Sequence, residues 1–99
     1  MLGKLIKQLF GWKKPVLPYP YRVTRVSRDL FSVQINGRTA KLAAEVGERV
    51  DGKYEIALYP SSSKKWEEDG TPIAQQDHEL LLRTLEQFLS ANNYRPRRG

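Results

Sequence analysis

Apolar and polar positions alternate with period two through most of the first half of the chain. Tyr21 and Val23 alternate with Arg22 and Thr24, and Val26 continues the run, which predicts a strand. Phe31, Val33 and Ile35 alternate with Ser32 and Gln34 in the same way and predict a second, half-buried strand. Asn36-Gly37 follows, the pair favoured in two-residue hairpin turns because both central residues need positive φ. Such a turn pairs Ile35 with Arg38, Val33 with Ala40 and Phe31 with Leu42, so the apolar face continues through Ala40, Leu42, Ala44 and Val46. A slip of one residue would turn Leu42 and Val46 to water. Val46 to Lys53, with Gly47, Asp51 and Gly52, predicts a loop. Tyr54, Ile56 and Leu58 then predict a fourth strand, ended by Pro60, which cannot donate to a ladder.

The period changes to 3.6 in the last third. His78, Leu81, Leu82, Leu85, Phe88 and Leu89 share one helical face, which predicts a helix over about Pro72 to Asn92. Thr71 and Pro72 suit its cap and first position. Asp77 and Glu79 lie early and Arg83 later, the sense the helix dipole favours. Asn92-Asn93 can take left-handed φ and stop the helix. Tyr94 then begins an extended tail that Pro96 and the arginines leave mobile. At the other end, Leu2, Leu5, Ile6, Leu9 and Phe10 recur at helical spacing and predict a short amphipathic helix over Met1 to Trp12. Lys7 and Gln8 interrupt the apolar run a secretory signal needs, so the segment reads as retained, docked on the body or lying on a membrane surface. Pro15, Pro18 and Pro20 make Lys13 to Tyr21 a stiff, extended connector.

The fold expected is α+β: an N-terminal short helix, an antiparallel sheet of about four strands, and a long C-terminal helix packed on one sheet face. The chain divides into the amphipathic helix and Pro-rich connector (1–21), an α+β binding domain (22–94) and a basic tail (95–99). The expected core is Val23, Phe31, Val33, Ile35, Ala40, Leu42, Ile56, Leu58 and the apolar helix face.

Ninety-nine residues support one modest core. With no cysteine, disulfides, thiolate chemistry and Cys-ligated metals are excluded, and a single histidine, His78, excludes a multi-His site. No apolar run is long enough to span a bilayer. The net charge of +6 is uneven: residues 1–28 hold seven basic residues and no acid, residues 29–94 sum to −4, and residues 95–99 add +3. Two basic ends flank a mildly acidic body, a distribution that suits a polyanionic partner or keeps the ends solvated. Catalytic chemistry is not visible. His78 falls on the packing face, Glu67, Glu68 and Asp69 sit adjacent in a polar loop without calcium-loop spacing, and no phosphate-cradling glycine motif is present. The expectation is a binding protein that is not an enzyme and uses no cofactor or metal.

The run YEIALY (Tyr54–Tyr59), the loop SSSKKWEEDGTPI and the helix DHELLLRTLEQFLSANNY resemble the bacterial polymorphic-toxin immunity proteins of the type called immunity protein 74. In that family a strand ending in a Y-x-S-S-I-K-x-W pattern precedes an acidic, Pro-containing loop and a final helix ending in an aromatic residue. Tyr59, Ser61, Ser62, Lys64, Lys65 and Trp66 sit in comparable places, and Arg28, Val33, Gly37 and Arg38 match an upstream R-x-x-x-x-V-x-x-x-G-R hairpin. The resemblance covers residues 22–94. Ala74 departs from it, where the family tends to have a capping serine. The resemblance implies a cytoplasmic protein that binds and neutralises a cognate toxin domain by occlusion. Trp66 would then be a partner-binding anchor, and Glu67, Glu68, Asp69 and Lys65 its charged surround. The competing reading of Trp66 is a core residue tucked under the helix.

The expected fold also looks like single-stranded nucleic-acid-binding domains of the transcriptional-coactivator and whirly type. There Arg22, Arg25, Arg28, Arg38, Lys41 and Tyr21 would supply a basic, aromatic sheet face, although Arg25 and Lys41 need not share a face with Arg22. A third reading holds the domain at an anionic membrane through residues 1–12. The oligomeric state stays open.

Overall fold

The computed structural model describes residues 12–99. The expected N-terminal helix lies outside them except for Trp12, whose backbone is irregular. Five strands form one sheet: β1 (Tyr21–Ser27), β2 (Leu30–Ile35), β3 (Arg38–Val50), β4 (Lys53–Tyr59) and β5 (Tyr94–Arg98). They lie side by side in chain order. A short 3-10 turn (Pro60–Ser62) and one helix, α1 (Gln75–Ser90), separate β4 from β5.

The β2–β3 hairpin has the register the alternation dictates: Ile35 opposite Arg38, Val33 opposite Ala40, Phe31 opposite Leu42. Asn36 and Gly37 both take positive φ, at 50° and 83°. A second turn of the same kind follows at Asp51-Gly52, with φ of 53° and 78°. This corrects the expected loop at Val46: β3 runs on to Val50, and a bulge between Val46 and Arg49 takes up Gly47 and Glu48. The bulge interrupts the alternation, which is why the pattern stops looking like a strand there.

The sheet is mixed rather than antiparallel, because the expected tail is a strand. Tyr94 pairs with Tyr54, Pro96 with Ile56 and Arg98 with Leu58, in parallel. A parallel pair needs a crossover, and α1 provides it by carrying the chain back across the sheet. Pro96 is tolerated because β5 is an edge strand. The helix starts at Gln75, later than Pro72. Pro72 is held in a bridge with Lys65, and the Thr71 hydroxyl donates to Asp69 at 2.7 Å and so is not free to cap.

One face of the sheet carries the core. Val23, Phe31, Val33, Ile35, Ala40, Leu42, Ile56 and Leu58 are buried on it, against Leu81, Leu82, Leu85, Phe88 and Leu89 of α1. His78 packs at the rim of the helix with Nε2 2.8 Å from the Pro60 carbonyl. The proline-rich segment does not stand off as a spacer. Trp12 stacks on Phe88 and Tyr94, at 5.5 and 5.8 Å between ring centres. The Asn92 amide clamps both backbone groups of Lys13, at 2.5 and 2.8 Å. Thr84 is fully buried and gives its proton to the Leu80 carbonyl, so the Tyr19 hydroxyl donates to Thr84 at 2.6 Å. Tyr21 donates to the Pro15 carbonyl.

Candidate functional site

Two groups of side chains carry the expectations of function, the loop around Trp66 and the cations of the sheet. The loop is the more constrained. The first residues of β3 extend beyond the end of β4, which leaves that stretch of β3 without a neighbour on one side. The loop fills the gap. Glu67 donates its N–H to the Thr39 carbonyl at 2.8 Å, and the Thr39 N–H donates to Glu68 Oε1 at 2.8 Å. Further along, the Ala43 N–H donates to Ser62 Oγ at 2.9 Å. An open strand edge is thereby satisfied by the chain itself.

Within the loop, the Trp66 N–H donates to Thr71 and the Ile73 N–H to Lys64, which closes a small hairpin turned at Gly70, with φ of 71°. This hairpin drives Trp66 into the core, where it is 4% exposed. The structure thus places the expected anchor inside the protein: an indole in a polar loop has more apolar surface to remove from water than any neighbour, and the core rim under Arg38 accepts it. The Arg38 guanidinium lies over the ring at 4.3 Å.

Of the remaining loop residues, Glu67, Glu68, Asp69 and Lys65 are exposed. The three carboxylates already have partners. Glu67 lies 3.5 Å from Lys41. Hydrogen bonds from Thr39 hold the Glu68 carboxyl below its usual range. Asp69 accepts from the Thr71 N–H and hydroxyl and faces Arg38 at 3.8 Å, which lowers it likewise.

The basic set does not form one patch. Residues opposite each other in an antiparallel pair share a face. Arg22 is in a row with Gln34 and Thr39, and Lys41 in a row with Thr24 and Ser32, so both lie on the face away from α1. Tyr21 and Arg25 are opposite the buried Ile35 and Phe31, and Arg38 is also opposite Ile35, which puts all three on the helix side. Arg28 sits in the β1–β2 turn. Arg38 and Lys41 are paired with loop acids. The expected six-residue face is therefore divided by the sheet.

A narrower group does come together along β1. Lys14 and Arg22 line the same cavity of about 230 Å3, with Trp12, Val23 and Phe88. Lys14 Nζ stands 5.2 Å over the Tyr21 ring. Arg25 lies over Phe31, donates to the Arg28 carbonyl at 2.9 Å and keeps a buried Nε without a partner. From Lys13 to Arg28 there are five cations and no acid. Among the described residues none of the five lies within ion-pair distance of a carboxylate. Lys13 and Lys14 were not among the candidate residues. The signal that marks them is the acid-free run of charge before Asp29; the docked proline segment brings Lys14 to β1, while Lys13 lies at the end of α1 beside Asn92, Tyr94 and Tyr54.

No protein family, curated protein or solved structure matches the chain. Geometry and charge therefore carry the functional reading.

Proposed function

We propose that this chain is a non-catalytic binding domain whose contact surface is the cationic side of β1, and that its partner is the phosphate backbone of a nucleic acid. The observation that carries this reading is the acid-free group of Lys14, Arg22, Arg25 and Arg28 around the β1 edge. Cations left without carboxylates keep their full field for a partner, and with Arg22 on the outer face, Arg25 on the helix side and Arg28 in the turn, a phosphate backbone would follow the rim of the edge strand rather than one face of the sheet. The aromatic rings on this side are engaged with the protein itself, Tyr19 with Thr84 and Tyr21 under Lys14. Recognition accordingly runs through phosphates rather than stacked bases, and sequence preference is weak.

The test is fluorescence anisotropy of a labelled single-stranded oligonucleotide against salt. Up to four cation–phosphate contacts give a plot of log affinity against log salt with a slope of about −3. No binding at low salt, or binding that ignores salt, removes the reading.

Occlusion of a toxin domain is the second reading. Beyond the resemblance, it is favoured by the loop holding Lys65, Glu67, Glu68 and Asp69, which is fastened to β3 before any partner arrives, so little ordering entropy opposes docking. Its test is rescue of cells expressing a toxin encoded beside this gene. Rescue that survives Glu67→Lys with Glu68→Lys would move the contact away from the loop.

A further inference from the structure

Aromatic rings and cations gather where the chain enters the described fold. Trp12 stacks on Phe88 and Tyr94, and the Tyr94 ring lies 6.1 Å from that of Tyr54. Tyr54 is 42% exposed, and Val50, across the Asp51-Gly52 turn, is 39% exposed. Lys13 is exposed beside these rings, and the Arg49 guanidinium stands 5.6 Å over Tyr54. Rings with an apolar body and a polar tip, flanked by cations, are the composition proteins present to a lipid headgroup layer. Asn92 holds both backbone groups of Lys13, so the segment before Trp12 leaves the body from this end.

The sequence that leads into Trp12 fits the same surface. Leu2, Leu5, Ile6, Leu9 and Phe10 recur at helical spacing, and Lys4, Lys7 and Gln8 fall on the opposite side of that pattern. No acid occurs before Asp29. The run is too short and too interrupted to cross a bilayer. A segment with one apolar side and lysines on the other binds in the plane of the headgroups instead.

We infer that this end of the molecule rests on an anionic lipid surface, with the apolar side of residues 2–10 in the headgroup layer and Trp12 and Tyr54 beside it. Lys4, Lys7 and Lys13 supply the attraction, because Glu48 and Asp51 offset Arg49 and Lys53 around the β3–β4 turn. Each cation near such a surface is worth about fivefold in affinity. The inference does not rest on nucleic-acid binding, since Arg22, Arg25 and Arg28 take no part in it.

The experiment is co-sedimentation of the full chain with vesicles of phosphatidylcholine alone and of phosphatidylcholine mixed equally with phosphatidylglycerol. Binding to the mixed vesicles is expected, at least about tenfold tighter than to the neutral ones. Leu5→Asp with Leu9→Asp abolishes it and leaves the urea midpoint and oligonucleotide binding unchanged. Lys4→Gln with Lys7→Gln weakens it more than about tenfold, the share of two cations. Tyr54→Ser weakens it about threefold by removing a ring from the headgroup layer. Arg22→Glu with Arg28→Glu changes it less than about twofold, because those charges lie away from the surface. No preference for the mixed vesicles overturns the inference, and so does a loss from the Arg22 and Arg28 pair as large as that from Lys4 and Lys7, which would make net charge the cause. A urea midpoint lowered by the Leu5 and Leu9 changes puts the segment on the body rather than on lipid, and Tyr54→Ser without effect takes the body off the surface; either result also overturns it. Oligonucleotide binding lost while vesicle binding persists refutes the β1 reading alone.

Discussion

The two edges of the sheet carry similar residues and treat them in opposite ways. The β1 edge has Arg22, Arg25 and, in its turn, Arg28. The β5 edge has Arg95, Arg97 and Arg98. On β5 two of the three charges are answered by carboxylates. Arg98 makes a two-pronged contact with Glu79, both bonds at 2.8 Å, and a further one with Glu86 at 2.9 Å. Arg95 lies 3.6 Å from Glu55, and Arg97 shares a groove with Glu45 and Glu55. These contacts tie the last strand to α1 and β4. On β1 no carboxylate answers, and the neighbours are aromatic rings and a backbone carbonyl. An arginine therefore says little about its role until its partners are known: a planar fork with two carboxylates is a strut, and the same group without them is a surface for something else.

The most drastic way to break the comparison is to remove an edge. Deleting Tyr94–Gly99 takes away the Tyr94 ring stacked on Trp12, the parallel pairing of β4 and the cover over Ile56. Stability should fall by about 3 kcal/mol or more, a core-sized loss, read from the urea midpoint. A shortened chain as stable as the whole would make β5 a passive tail. Trp66→Ala tests the covering of the β3 edge in the same assay and should cost about 3–5 kcal/mol, as for other large buried aromatics. A surface anchor would cost almost nothing.

Charge reversals sharpen the contrast. Arg22→Glu with Arg28→Glu should weaken oligonucleotide binding by about tenfold or more and flatten its salt slope by about 1 to 2, while stability stays within about 0.5 kcal/mol. Arg95→Glu with Arg97→Glu should leave binding unchanged. Equal loss from both pairs would mean that net charge alone binds, and the two edges would no longer differ.

The smallest expected effect is a dependence on acid. The Arg98 fork, with help from Arg83, holds the Glu79 carboxyl below its ordinary value, and the β3 loop does the same to Glu68 and Asp69. A carboxylate with a depressed folded-state pKa contributes stability above its unfolded pKa and loses it as pH falls through the folded one. Stability should therefore decline below pH 4.5, the ordinary value for glutamate. Arg98→Ala should blunt the Glu79 share of that decline and leave the loop's share. An acid profile identical in the variant would show that the fork does not hold β5.

Much of the fold could be read before any coordinates. The β2–β3 register follows from Asn36-Gly37 and the alternation on either side, because a hairpin turn and a half-buried face each specify the pairing and here agree. The helix face from Leu81 to Leu89 is legible for the same kind of reason. Less of the candidate site was visible. Trp66 reads equally as an anchor or a core residue, since a large apolar side chain in a polar loop has no period to say which way it points. Tyr94–Arg98 reads as a tail, since five residues with a proline and three arginines lack any strand signal of their own.

The local pattern of side chains thus determined what depends on neighbours within a few residues: turn geometry, strand register, the apolar face of α1 and the acid-free run from Lys13 to Arg28. Tertiary structure alone decided the parallel pairing of β5, the burial of Trp66 and which arginines meet carboxylates. Each of these depends on residues far apart in the chain, such as Arg38 with Asp69 or Trp12 with Tyr94. A contact of that kind forms only after the sheet and helix have brought its members together, and no periodicity along the chain records it.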